Sequence, residues 1–248
     1  MTRDVLELPA NHIHVWTGEP PADGSALAKL APETVLSNDE QQRWRRFQRT
    51  SDQDLFAWAH VSLRRVLSRY VLVDPRDWEF REGPHGRPEI TSVLGTDLCF
   101  NLSHTEGMMA IIVNRSFDAG VDVEKVGRVA NIESVARTSF SDAEQRLVQD
   151  APPSERAAKF VEIWTLKEAY LKAQGLGISV DLKSFSFDPN DPAEVRLSHH
   201  GGDSSRHGNA PENWFFEIFT KASNHVVAVA SRSASAIVRP TIIERHLG

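Results

Sequence analysis

Two acids, Asp122 and Glu124, occupy alternate positions of the apolar stretch Gly120-Val121-Asp122-Val123-Glu124, and a third, Glu168, lies within Trp164-Thr165-Leu166-Lys167-Glu168-Ala169-Tyr170-Leu171-Lys172. Side chains two apart on a strand share a face, so Asp122 and Glu124 point together while Val121 and Val123 point the other way. Such carboxylates suit a hard cation. Mg²⁺ takes oxygen ligands, keeps several waters and is often completed by substrate phosphates, so two or three protein acids at an open site are enough. The first expectation is therefore a phosphate-handling enzyme. Each piece also has a plainer reading. Trp164, Glu168 and Lys172 stack at i, i+4 and i+8 of a helix, and a Glu168–Lys172 pair there contributes only about 0.2–0.5 kcal/mol. An acidic strand pair is more often a solvated face. Their joint occurrence, with Gly120 permitting close backbone approach, favours a single site.

Four further groups need weighing beside such a site. Phe100-Asn101-Leu102-Ser103-His104 ends a strand with a hydroxyl and an imidazole at its tip, where loop residues meet ligands. Ser103 either caps a turn or binds, and His104 either donates to a phosphate or acts as a general base. No serine-hydrolase elbow surrounds Ser103. The turn Gly83-Pro84-His85-Gly86-Arg87-Pro88 is an ordinary Gly/Pro turn or a nucleotide cradle, with Arg87 pairing a phosphate. Arg43, Arg45, Arg46, Arg49, Arg64, Arg65 and Arg69 form a local basic zone suited to phosphates or an acidic partner. His199, His200 and His207 lie in a polar stretch, Ser198 to Asn209, that reads as an exposed loop before it reads as a metal site.

The elements that must position these residues follow from pattern. His12 to Trp16 reads as a strand and Pro20 to Gly24 as a loop. Ser37-Asn38-Asp39-Glu40 is a capping box opening a helix to Phe47, and Ser51 with Asp54 opens a longer one through Leu67. Strand candidates are Trp78–Phe80, Leu98–Leu102 and Met108–Val113. A second run then repeats the order. It has the strand through Val121 and Val123, a second capping box at Ser141 and Glu144, a long helix from about Glu155 to Gln174, and strands at Phe185–Phe187, Trp214–Ile218 and Val226–Ala230. The long helix is apolar on more than one stripe and should be largely buried, with Lys167 either against backbone oxygens or facing the site. Two α+β halves are expected, 1–117 and 118–248, with the site between them.

The 248 residues suffice for one large domain or two halves, and 40% hydrophobic with 25% charged residues is ordinary globular usage. A net charge of −6 gives no whole-chain reason to expect nucleic acid. Cys99 is the only cysteine, which excludes an intrachain disulfide and a cysteine-rich metal site and fits a reducing cytoplasm. The start of the chain lacks an apolar signal core, and no run approaches the ~20 apolar residues of a membrane span, so a cytoplasmic protein without membrane contact is expected.

Taken in order, Gly86-Arg87-Pro88, Asn101-Leu102-Ser103-His104, Gly120 to Glu124 and Trp164 to Lys172 resemble the motifs of the Sfp-type 4′-phosphopantetheinyl transferases. The resemblance spans nearly the whole chain. It implies an α+β fold of two pseudosymmetric α/β halves, with coenzyme A and Mg²⁺ between them. It also implies transfer of phosphopantetheine to a serine of an apo carrier protein, with release of 3′,5′-adenosine bisphosphate. By motif, Asp122, Glu124 and Glu168 are the metal-binding acids, Lys172 contacts phosphate, and Glu168 is the candidate base, acting directly or through a metal-bound water. Ser103 and His104 are expected on coenzyme A phosphates, His104 also stabilising developing charge. Gly86, Arg87 and Pro88 are expected at the adenine end, and Arg43 and Arg49 on the phosphate-binding surface. Some relatives carry a basic residue near Leu55, a role lost here or supplied by a neighbour. The resemblance implies carrier activation, with acyl, polyketide and nonribosomal-peptide carriers all open and secondary metabolite biosynthesis the expected setting, and a two-half chain is expected to act as a monomer. Two other readings use the same residues: a silent coenzyme A or carrier-binding module, and an Mg²⁺-dependent phosphohydrolase.

Overall fold

The computed structural model describes residues 5–20, 29–83, 86–91, 95–175, 180–191, 194–200, 213–233 and 238–247. The chain runs twice through one order of elements. First come strand β1 (His12–Gly18), the short helix α1 (Pro32–Val35), helices α2 (Asn38–Arg45) and α3 (Thr50–Leu67), the hairpin β2 (Phe80–Glu82) and β3 (Pro88–Ile90), and the hairpin β4 (Cys99–Thr105) and β5 (Met108–Asn114). Then follow β6 (Phe117–Lys125), helices α4 (Ile132–Ser139), α5 (Asp142–Asp150) and α6 (Arg156–Gln174), the hairpin β7 (Phe185–Asp188) and β8 (Arg196–His199), and the hairpin β9 (Trp214–Lys221) and β10 (His225–Ser233). A last strand, β11 (Thr241–His246), stands outside the repeat and pairs in parallel with β1.

Two main sheets result, ordered β11-β1-β5-β4 and β6-β10-β9, while the hairpins β2-β3 and β7-β8 stay two-stranded. Alternation along the strands gives each sheet two apolar faces, and burying four faces requires layers. The inner faces meet through Ile13, Val15, Ala110 and Ile112 against Val121, Val123, Val227 and Val229. Helix α3 covers the outer face of the first sheet with Trp58, Leu63, Val66 and Leu67, packed on Phe100, Met109 and Ile111. Helix α6 covers the second with Leu166, Ala169, Tyr170 and Ala173, packed on Phe216, Ala228 and Ala230.

Each half pins its long helix with the glutamate of its capping box. Ser37 Oγ accepts from the Glu40 amide at 3.3 Å, and the Glu40 carboxylate accepts from the Ser37 amide at 2.9 Å. That carboxylate also takes Arg64 Nη2 of α3 at 2.6 Å. In the second half Ser141 and Glu144 form the same box, and Glu144 takes Lys167 Nζ of α6 at 2.9 Å with both groups fully buried. Lys167 further donates to the carbonyls of Leu182 and Phe185 at 2.6 and 2.7 Å, and lies over the Phe185 ring at 4.3 Å. Burial pulls the Lys167 pKa down, against the pull of Glu144.

Several sequence expectations change. Arg49, not Ser51, is the N-cap of α3, with no side-chain cap. Trp78 lies outside a strand, because its ring is buried in the first core and its indole donates to Ser68 Oγ. Arg64 leaves the basic surface zone for the interior, where Glu40 and the carbonyls of Pro75 and Trp78 satisfy it. Ser198 and His199 belong to β8, and His200 bonds Ser186. His207 and residues 21–24 of the expected loop lie outside the described residues. Among the described residues no helix is long and apolar enough to cross a membrane.

Lys167→Met would leave the Glu144 carboxylate buried without its counter-charge. A destabilisation of about 3–5 kcal/mol is expected, read by urea unfolding, and a loss below about 1 kcal/mol would contradict the pinning role. His14 on β1 is buried, with Tyr70 Oη at 2.8 Å and Arg245 Nε of β11 at 3.1 Å from its Nδ1. Burial, then Arg245 and His12, lower its pKa to about 4. Below about 6.5 the unfolded chain takes a proton that the folded chain refuses, so stability falls from pH 6.5 toward pH 4. In His14→Gln the unfolding free energy should fall less steeply across that window than in the parent, and parallel curves would exclude the linkage.

Candidate active site

Strands β4 and β6 are neighbouring edges of the two sheets, joined by side chains. Asn101 Oδ1 accepts from the Val121 amide at 3.0 Å, Ser103 Oγ donates to Asp122 Oδ1 at 2.7 Å, and Thr105 Oγ1 donates to Glu124 Oε2 at 3.1 Å. The two side-chain pairs, Ser103–Asp122 and Thr105–Glu124, step by two on both strands, so the polar faces of β4 and β6 meet in parallel register, and Asn101 adds a bond to the backbone of Val121. Helix α6 closes the seam. It lies directly on Gly120, where an added Cβ would stand 2.2 Å from the Ala169 carbonyl oxygen and 2.4 Å from the Ala173 nitrogen. That approach brings Lys172 Nζ to 2.6 Å from Asp122 Oδ1 and 2.9 Å from Ser103 Oγ. Lys172 is therefore the partner of Asp122 across the seam, stronger than the helix pair with Glu168 that the spacing offered.

Glu168, one turn earlier on α6, is half-buried. Burial raises its pKa, the negative charges of Asp122 and Glu124 raise it further, and Lys172 opposes them. The three acids thus feel one another. Among the described residues no group of three His, Cys, Asp or Glu side chains is arranged to hold a metal ion by itself. The chemistry of the donors nevertheless fits a hard cation that brings its own waters: the acids offer oxygen ligands only, and Asp122 Oδ2 is buried without a hydrogen-bond partner.

His104 alternates to the other face of β4 and is exposed. Crowding by protein, followed by the positive charges of His60, Lys172 and Arg43, lowers its pKa to about 4, so it is neutral at physiological pH. Ser103 and His104 both belong to the strand, not to a loop tip, because β4 stays paired with β5 up to Thr105 and Met108. Arg43 and Arg49 are exposed, Arg43 on α2 with its guanidinium 5.6 Å from the Phe56 ring centre, and Arg49 at the start of α3. Gly86 holds φ +79°, a conformation that favours glycine. Pro88 and Arg87 border a cavity of about 280 Å³ shared with Glu89, Ile90, Phe100 and Phe117. The Arg87 guanidinium bonds backbone carbonyls.

Thr105, Asn101 and Arg128, which gives Glu124 a second partner at 3.3 Å, were not anticipated from the sequence. The signal for the first two was present: Asn101, Ser103 and Thr105 are polar at alternate positions of an apolar strand.

Residues 118–230 match the model of the 4′-phosphopantetheinyl transferase superfamily. The 4′-phosphopantetheinyl transferase HetI of Nostoc sp. is 31% identical over 195 residues, which is 78% of this chain and 81% of that protein. The 4′-phosphopantetheinyl transferase Sfp of Bacillus subtilis is 28% identical over 66% of this chain and 71% of its own length. A phosphopantetheinyl transferase of Thraustochytrium sp. is 26% identical over 87% of this chain and 77% of its own. With the seam and the motif order in place, the likeness to HetI across most of both chains makes this protein a member of the 4′-phosphopantetheinyl transferase superfamily.

Proposed function

We propose that the protein transfers the 4′-phosphopantetheine group of coenzyme A to a serine of an apo carrier protein, releasing 3′,5′-adenosine bisphosphate. The observation that carries this reading is the seam, where Asp122 of β6, Ser103 of β4 and Lys172 of α6 meet within hydrogen-bond distance beside Glu168. Asp122, Glu124 and Glu168 would hold Mg²⁺, Asp122 through its unpartnered buried oxygen. When bound, Mg²⁺ supplies positive charge to the pyrophosphate as its bond breaks.

The chain's own groups do the rest. Lys172 and neutral His104 would donate to coenzyme A phosphates, Ser103 would do so by turning its one proton from Asp122 to the phosphate, and Arg43 and Arg49 would add positive charge at the surface. The cavity beside Arg87 and Pro88, with Gly86 shaping the turn before it, would take one end of a long ligand, the adenine. Glu168, with its raised affinity for protons, would accept the proton of the incoming serine hydroxyl. The serine oxygen attacks the phosphorus that bears the pantetheine arm, and the bond to the adenosine-bearing phosphate breaks. Such a step asks a protein mainly for position and charge. Residues 1–117 would present the coenzyme A surface and residues 118–248 the acids and the helix. With both halves in one chain, the site is complete in a cytoplasmic monomer. The carrier would be of the acyl, polyketide or nonribosomal-peptide type.

Incubation with coenzyme A, Mg²⁺ and an apo carrier protein should raise the carrier's mass by one phosphopantetheine group. Hydrolysis of coenzyme A with an unchanged carrier would point to a phosphohydrolase, and binding without either product to a silent module; each would overturn the proposal. Glu168→Gln and Asp122→Ala should lower transfer at least ~100-fold with the circular dichroism spectrum unchanged. EDTA should stop the wild-type reaction and excess Mg²⁺ restore it. Undiminished transfer by either variant, or in EDTA, would remove these acids from the mechanism.

A further inference from the structure

Arg87 spends its guanidinium on backbone. Nη1 donates to the carbonyls of Lys172 at 3.0 Å and Ala173 at 3.3 Å, and Nη2 to those of Phe100 at 3.4 Å and Ala119 at 3.1 Å. These four acceptors belong to three elements, the last turn of α6 and strands β4 and β6. The last carbonyls of a helix are short of partners, here relieved in part by the Gly175 amide on the Lys172 carbonyl at 3.2 Å, and a cation there also meets the negative end of the helix dipole. The acceptors are also placed by register. Phe100 lies three residues before Ser103, Ala119 three before Asp122, and Lys172 is itself the third member of the triangle that those side chains form. One planar fork therefore fixes how far α6, β4 and β6 can slide past one another, at the level where their site residues must meet.

We infer that Arg87 is a positioning residue, which holds Lys172 in reach of Asp122 and Ser103, and that it is not a phosphate ligand. A guanidinium has five N–H donors, and both Nη groups are already turned to carbonyls. To pair a phosphate bidentately it would have to release them and loosen the seam. Lysine is no substitute: its ammonium carries a charge that would suit a phosphate, but it cannot span four carbonyls in three directions. The inference rests on the proposed transfer only for its kinetic readout.

Arg87→Lys and Arg87→Ala separate the two roles. For a positioning residue both variants should lose at least tenfold in kcat at saturating coenzyme A, with KM for coenzyme A within about threefold of the parent, since misplacement of reacting groups acts on the chemical step. A phosphate ligand predicts the reverse, a raised KM with unchanged kcat and rescue by lysine, and that result would overturn the inference. Unchanged kcat per folded molecule would also overturn it, leaving Arg87 a stabiliser only. Failure of the wild-type protein to transfer would count against the proposed function alone. Hydrogen exchange then judges the clamp: amides 171–175 should exchange at least tenfold faster in Arg87→Lys, and equal rates would refute it. A crystal structure of the wild-type protein with 3′,5′-adenosine bisphosphate needs no variant, and should show the guanidinium still on the four carbonyls; a guanidinium moved to a phosphate would refute the assignment.

Discussion

Helix α6 rests on the bare backbone of β6 at Gly120, and the rest of the site depends on that contact. A Cβ at this position would stand 2.9 Å from the Lys172 Cβ and closer still to the backbone of Ala169 and Ala173. With hydrogen there instead, two small residues on the helix can settle on the strand, and Lys172 reaches an aspartate two positions further along it. Glu168 is delivered by the same seating, one turn back on the same helix. Arg87 ties the contact from outside, since three of its four acceptors flank Gly120. The seam is thus defined by backbone approach before any charged group is considered.

The halves are alike in their interactions as well as in their element order. In each, a capping-box glutamate serves the short helix and then the cation of the long one, Arg64 in the first half and Lys167 in the second. Burying such pairs is expensive, and the desolvation of both charges offsets much of their attraction. Their use is in fixing the helices. Lys167 sits next to Glu168, so the pair that anchors α6 to its core also sets which way the neighbouring acid faces. The halves then part in purpose: Arg64 is followed by no site residue on α3, whereas α6 carries two.

What the sequence made legible was whatever depends on local pattern. Alternation placed Asp122 and Glu124 on one face, the capping boxes located α2 and α5, and the apolar crowding of residues 156–174 announced a buried helix. What it hid depends on pairing between distant segments. The continuation of β4 through Ser103 and His104 follows from its ladder with β5, and β11 completes the first sheet by pairing Thr241 with His12 across almost the whole chain. Neither pairing has a period to read. Arg64 and Arg87 look alike in sequence to Arg43 and Arg49, yet the first two face carbonyls and carboxylates inside the fold. Composition counts charges; only the packing says which ones are available to a ligand.

The acids of β6 and the Glu168 and Lys172 side chains of α6 can act as one site only while α6 sits on Gly120. Gly120→Ala tests this most directly, because the change removes none of the proposed reacting groups and acts on them only by pushing α6, with Lys172, off the strand. The variant should keep its circular dichroism spectrum and cooperative unfolding, yet lose at least ~100-fold in transfer of phosphopantetheine to an apo carrier protein. A folded Gly120→Ala protein with wild-type transfer would contradict it.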